Sequence, residues 1–251
     1  MKVNPKRVLI VEDEIIIGID IKTRLDKRGE CLCDVVTSSE EALEYAEKRK
    51  PDLIIMDIAL QGKTDGLQAA EHINDNYNIP IIFITAYSAP NILSLTKRPG
   101  FYDCIQKPFD DRALFNVVLR TLTISALEKK LKAGEPLSSV IDDIPSGLSI
   151  IEAASFRVKV ADKKFLNQSI TCYDFNFNLD RPCHTFGFPC TLEEIKKTAC
   201  WTAHISNRPL RTGKKRKVEI YGYPLLDHRG KVSDIIEFIR PLGEDEFSGY
   251  R

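Results

Sequence analysis

The chain has no run approaching the roughly twenty consecutive apolar residues that a bilayer-spanning helix needs. Its first apolar stretch, Val8 to Val11, is cut short by Glu12, Asp13 and Glu14. The expectation is a cytoplasmic protein without membrane contact. A charge excess of either sign is lacking too. Lys plus Arg and Asp plus Glu number 36 each, so no general attraction to nucleic acid or anionic lipid follows. The seven cysteines contain no C-x2-C pair, which removes the usual nucleus of a zinc knuckle. In a reducing compartment they are expected as thiols used for packing, metal ligation or redox sensing, not as structural disulfides. A nucleophile paired with a base is also missing, so the chain is not read as an enzyme.

What is present suits two domains, since 251 residues exceed one small core. The most informative stretch is Asp52-Leu53-Ile54-Ile55-Met56-Asp57. An apolar run of this length reads as a strand buried on both faces, as in the middle of a parallel sheet. It places Asp57 at the strand's carboxyl end, where open α/β sheets bind ligands and where a carboxylate is exposed to chemistry. An Asp at that position also serves ordinary turns, so its companions decide. Val8 to Val11 ends in Glu12 and Asp13, Ile81 to Ile84 ends in Thr85, and Tyr102 to Gln106 ends in Lys107. Together these strand ends present carboxylates, a hydroxyl and an ammonium.

Glu12, Asp13 and Asp57 repel one another unless a cation lies among them, which predicts a hard divalent metal with oxygen ligands, most simply Mg²⁺. Such a set suits phosphoryl transfer to the Asp57 carboxylate, with Thr85 and Lys107 meeting the other phosphoryl oxygens. In order, spacing and strand context, residues 5 to about 125 resemble a response-regulator receiver domain of two-component systems. The resemblance is carried by Glu12-Asp13, by Asp57 with Gly62 and Asp65-Gly66 downstream, by Thr85-Ala86 and by Lys107-Pro108-Phe109. It implies a flavodoxin-like, doubly wound five-stranded parallel sheet and phosphorylation of Asp57 by a histidine kinase. It further implies metal bound through Asp13, Asp57 and the Ala59 carbonyl, and a cis bond before Pro108. One position departs from the family: Cys104 stands where a Tyr or Phe is usual, three residues before the lysine. Tyr87 and Tyr102 are near it in sequence but not equivalent.

Helices are predicted from Glu14 to Arg28, with Ile15, Ile19 and Ile21 to Leu25 at near-helical spacing, and from Ser38, boxed with Glu41, to about Lys50. Others run from Gly66 to about Asn76, briefly over Ile92 to Lys97, and from Asp110 to about residue 133. The last exceeds what packing on one sheet needs. Its end, within a linker over 125–136 that separates a domain at 1–124 from one at 137–242, is expected to carry rotation or dimerisation onward or to act as a spacer. A short helix over Leu137 to Ile144 should open the second domain. Strands follow over Leu148 to Glu152, Phe156 to Ala161, Lys217 to Leu226 and Val232 to Pro241, with a capping box at Thr191 and Glu194 and a hairpin turn at Asp227 to Gly230. This is an α+β pattern with an antiparallel sheet. Its two ends, Val140 to Ile151 and Tyr223 to Val232, resemble a PAS domain, a sensing or interaction module. Cys172, Cys183, Cys190 and Cys200, with His184 and His204, offer ligands for a metal or redox centre, but packing as small hydrophobes is the preferred reading.

The basic run Arg208, Arg211, Lys214 to Lys217 reads as a solvated loop, and the tail at 243–251 as loose. The function expected is a phosphorylation switch that acts through the PAS-like module on a protein partner or a ligand, as a homodimer. No helix-turn-helix, cyclase or kinase core is legible. The alternative is a DNA-contacting regulator that uses the 208–217 segment.

Overall fold

The computed structural model describes residues 5–27, 29–60, 65–86, 100–136, 147–161, 164–166, 169–209, 215–227 and 229–241. The chain divides into two compact units, Met1–Ala126 and Leu127–Arg251. In the first, β1 (Lys6–Val11), α1 (Ile15–Asp26), β2 (Cys31–Val36), α2 (Ser39–Arg49) and β3 (Leu53–Asp57) are followed by α3 (Gly66–Tyr77), β4 (Ile81–Thr85), β5 (Phe101–Gln106) and the greater part of α4 (Asp111–Lys132), whose last residues pass the division. The strands form one parallel sheet in the order β2-β1-β3-β4-β5. This is the doubly wound α/β architecture expected.

The apolar strands divide their residues between two cores. Val8, Ile10, Leu53, Ile55, Ile82 and Ile84 face one layer, with Ile21 and Leu25 of α1 and Leu114 and Val118 of α4. Their neighbours Leu9, Val11, Ile54, Met56, Ile81 and Phe83 face the other, with Ala42 and Ala46 of α2 and Ala69, Ala70 and Ile73 of α3. Burial on both faces explains why β3 and β4 read as unbroken apolar runs. The face predicted for α1 needs correction: Gly18, Ile21 and Leu25 point inward, whereas Ile15 and Ile19 are exposed and Ile16 is 80% exposed. The cap of α2 forms as expected on one side, with Ser38 Oγ accepting from the Glu41 amide. On the other, Glu41 reaches past Ser38 to accept from the Thr37 amide at 2.8 Å.

The second unit contains β6 (Leu148–Glu152), β7 (Val158–Ala161), β8 (Lys164–Phe165), α5 (Cys172–Phe177), a 3-10 turn at Cys183–Phe186 and α6 (Thr191–Thr198). The strands β9 (Thr202–Pro209), β10 (Lys215–Leu226) and β11 (Val232–Pro241) complete it. Its antiparallel sheet runs β8-β7-β6-β11-β10-β9, as the α+β reading expects. The β10–β11 turn is tied by Asp227, whose Oδ1 accepts from the amides of Arg229 and Lys231.

Three expectations are corrected here. Phe156 does not start a strand: its φ of 62° places it in the turn after β6, and β7 begins at Val158. Thr191 is not a helix cap. Cys190 holds that position, and the Thr191 hydroxyl donates instead to Glu237 Oε2 at 2.6 Å. Arg208 does not lie in a solvated loop, because it belongs to β9 and is only 1% exposed. The predictions for Gly62, Tyr87, the 92–97 helix, the 137–144 helix, Arg211, Lys214, His228 and the tail at 243–251 fall outside the described residues.

Candidate functional site in the first unit

Parallel register sets the site. Val11 of β1 lies beside Met56 of β3, and Asp57 beside Ile84 of β4, so the three strands end at nearly one level. The residues just beyond therefore converge at the carboxyl edge of the sheet. Glu12 is buried, and its amide donates to the Val36 carbonyl at 3.1 Å. Lys107 follows β5, and its amide donates to the Thr85 carbonyl at 2.7 Å. The Lys107–Pro108 peptide bond is cis, as the resemblance implied.

Side chains meet there. Lys107 Nζ donates to Glu12 Oε2 and to Asp57 Oδ2, each at 2.7 Å, and to Glu12 Oε1 at 3.0 Å. Asp57 Oδ1 accepts from the Ala59 amide at 2.8 Å. The ammonium thus clamps both carboxylates while the backbone after β3 fixes the remaining Asp57 oxygen. The carboxylate is not as open as its strand-end position suggested: Asp57 is 6% exposed.

Glu12, Asp13 and Asp57 each bring a carboxylate oxygen into a group spanning no more than 4.8 Å. Such a set of hard oxygen donors fits a small divalent cation. Burial holds the Glu12 carboxyl above its ordinary range; Lys107 opposes that rise and Asp57 adds to it. Burial disfavours the Lys107 ammonium, but Asp57 and Glu12 outweigh burial and raise its pKa. A concentration of negative charge held by one cation is what a metal would relieve.

Of the predicted site residues, the structure brings Glu12, Asp13, Asp57 and Lys107 together. Thr85 ends β4 beside them and is buried. Ala59 enters through its amide, a role the sequence reading had not given it. Gly66 was noted there as part of the family pattern and as the start of a helix, and its use is now physical. A Cβ at this position would stand 2.1 Å from the Asp57 carbonyl oxygen and 3.3 Å from Ile58 Cα. Nothing larger than hydrogen fits where α3 begins, just after Asp65 caps it through the Gln68 amide at 2.7 Å. Gly66→Ala should therefore destabilise the unit by roughly 1–3 kcal/mol, as read from a urea midpoint, and slow phosphoryl uptake by moving the Asp57 main chain. A midpoint within error of the parent would contradict this.

Cys104 is half-buried beside the layer formed by α2 and α3. Burial, with Asp103 adding to it, pushes its thiol up to about 12. In the second unit, Cys172, Cys183 and Cys190 lie in apolar clusters. Among the described residues, the group at Glu12, Asp13 and Asp57 is the only set of three or more metal-ligating side chains brought together. Cys172, Cys183 and Cys190 thus serve as packing, and among the described residues neither His184 nor His204 belongs to a group of three such ligands.

Residues 8–119 match the family model for the response regulator receiver domain. The chain is 35% identical over 128 residues to the transcriptional regulatory protein PdtaR of Mycobacterium tuberculosis, covering 49% of this chain and 62% of that protein. It is 30% identical over 127 residues to the phyllosphere-induced regulator PhyR of Methylorubrum extorquens, covering 50% of this chain and 47% of that protein. The chain thus spans about half to three fifths of these relatives' length. Among solved structures, it is similar to the signal receiver domain of a modulated diguanylate cyclase from Desulfovibrio desulfuricans G20. That match has 29% identity, covers 50% of this chain and 99% of the other, and has a TM-score of 0.45.

Proposed function

Because residues 8–119 are a response regulator receiver domain, we propose that Asp57 accepts a phosphoryl group from the phosphohistidine of a histidine kinase. The observation that carries this reading is the Lys107 ammonium bridging Glu12 and Asp57 beside a three-carboxylate set. The Asp57 carboxylate oxygen attacks phosphorus in line, the phosphorus–nitrogen bond breaks, and its electron pair returns to the imidazole. The Ala59 amide orients the carboxylate for attack. Lys107 and the Thr85 hydroxyl take the phosphoryl oxygens. Asp13, Asp57 and the Ala59 carbonyl, with Glu12 beside them, would hold Mg²⁺, which supplies charge neutralisation for the transferring group.

The second unit, which is PAS-like in this reading, receives the change along α4, whose end at 125–136 serves as linker. It acts by ligand sensing or protein contact, in a homodimer of the cytoplasm. No helix of the described residues is long and apolar enough to cross a membrane. The reading gives the chain no enzymatic turnover beyond gain and loss of its own phosphoryl group. Direct DNA contact through 208–217 is weakened by the burial of Arg208.

The test is incubation of the full chain with acetyl phosphate, with Mg²⁺ or with EDTA, followed by mass analysis of its peptides. One phosphoryl group on the peptide containing Asp57, present with Mg²⁺ and lost with EDTA, is expected. A folded chain that stays unlabelled under both conditions would refute the assignment.

A further inference from the structure

The interior of the second unit holds a cation that makes no direct ion pair among the described residues. Arg208 points inward from β9 and is 1% exposed. Its Nη2 donates to the Pro189 carbonyl, while Nε and Nη1 have no hydrogen-bond partner. The guanidinium lies over the rings of Phe177 and Phe188, 4.7 Å from each centroid. Aromatic rings attract the flat face of a guanidinium but offer nothing to its N–H edge. Among the described residues no carboxylate lies within ion-pair distance of it.

The buried carboxylate of the same interior is committed elsewhere. Glu237 accepts from Asn176 Nδ2 at 2.9 Å and from the Thr191 hydroxyl at 2.6 Å; burial raises its pKa, and Arg208 opposes that rise only through space, without a hydrogen bond. Cys183 accepts a hydrogen bond from the guanidinium through its sulfur, yet burial raises its pKa, outweighing Arg208, and a neutral thiol offsets no charge. Buried charges are ordinarily paired, because an unpaired one forfeits its hydration without return. The planar, permanently charged fork of arginine suits carboxylate and phosphate oxygens in particular.

We propose that a small oxyanion, a carboxylate or a phosphate, binds at the Arg208 guanidinium inside the second unit and completes its charge. This gives the sensing half of the proposed function a ligand class and rests on that reading only for its purpose, because the site itself is independent of phosphorylation.

The test uses the full chain carrying Asp57→Ala, in EDTA, so that the receiver neither takes a phosphoryl group nor holds a metal. Failure of the phosphorylation reading then leaves the result untouched. Sodium acetate and sodium phosphate are titrated separately by calorimetry after dialysis into chloride, and the freshly purified chain is denatured and assayed for a released anion. Saturable one-to-one binding of one probe, or stoichiometric release, is expected. Whichever probe binds identifies the source as carboxylate or phosphate. Arg208→Lys should weaken binding roughly ten-fold or more, since a point charge lacks the fork, and Arg208→Met should abolish it. If the methionine variant does not fold, the lysine variant carries the comparison. Absence of both binding and release, or affinity unchanged in Arg208→Lys, overturns the proposal. So does a chain that binds neither probe until Cys183→Ala is added, which would make the thiolate the native counterion.

Discussion

Asp57→Ala is expected to abolish labelling by acetyl phosphate and every response to beryllofluoride, while leaving the fold in place. The loss is complete because the acceptor oxygens themselves are removed, and no other carboxylate in the group receives both the Lys107 ammonium and a backbone amide. Stability should stay within roughly 1 kcal/mol of the parent. Truncation forfeits the bonds from Ala59 and Lys107 but also removes one of three mutually repelling charges, while Lys107 keeps its bonds to Glu12. Circular dichroism and a urea titration check the fold, and peptide mass analysis checks the label. Retained labelling in a folded variant would place the acceptor elsewhere.

Lys107→Ala separates acceptance from response. Asp57 remains, so labelling should persist at a reduced rate, but the phosphoryl oxygens lose their ammonium partner. Changes in amide exchange on adding beryllofluoride should accordingly shrink, and a full response would remove Lys107 from its assigned role. The variant also carries a pH signature. In the parent, Lys107 opposes the burial that raises the Glu12 pKa; without it, the folded-state pKa of Glu12 rises further above its unfolded one. A carboxyl with a raised folded pKa loses stability as pH climbs through that value. The deficit should therefore be small near pH 3, where both states are protonated, and grow through the ordinary carboxylate range toward neutrality. In EDTA at neutral pH it should reach roughly 2 kcal/mol, on the low side for a broken buried pair because water reaches the ammonium. A deficit independent of pH would contradict this electrostatic account.

The first unit was legible because its strands sit between two helical layers, so Leu53 to Met56 and Ile81 to Ile84 must be apolar at every position. The polar residues that follow such runs stand out, which is how Asp57, Thr85 and Lys107 could be located. Gly66 was harder, since a glycine admitted by a backbone oxygen looks like any turn glycine. The second unit hid more. In β9 the inward positions are Thr202, His204, Ser206 and Arg208, whereas Ala203, Ile205 and Asn207 face outward. That inverts the usual rule of apolar inside and polar outside, so the strand went unrecognised and Arg208 was read as part of a basic loop. Thr191 misled for a related reason: its hydroxyl serves a buried acid on β11 and not its own helix, a tertiary choice that local spacing does not encode.

The division of each parallel strand between two layers has a mechanical consequence. Sliding β1, β3 or β4 by one residue would exchange the contents of the two cores and turn every side chain to the wrong wall. The sheet is indexed like a toothed rack, and Glu12, Asp57 and Thr85 are each fixed to one notch. Any rearrangement around the acids is thereby confined to bond rotations and to the connecting segments beyond the teeth, with the rack itself held still.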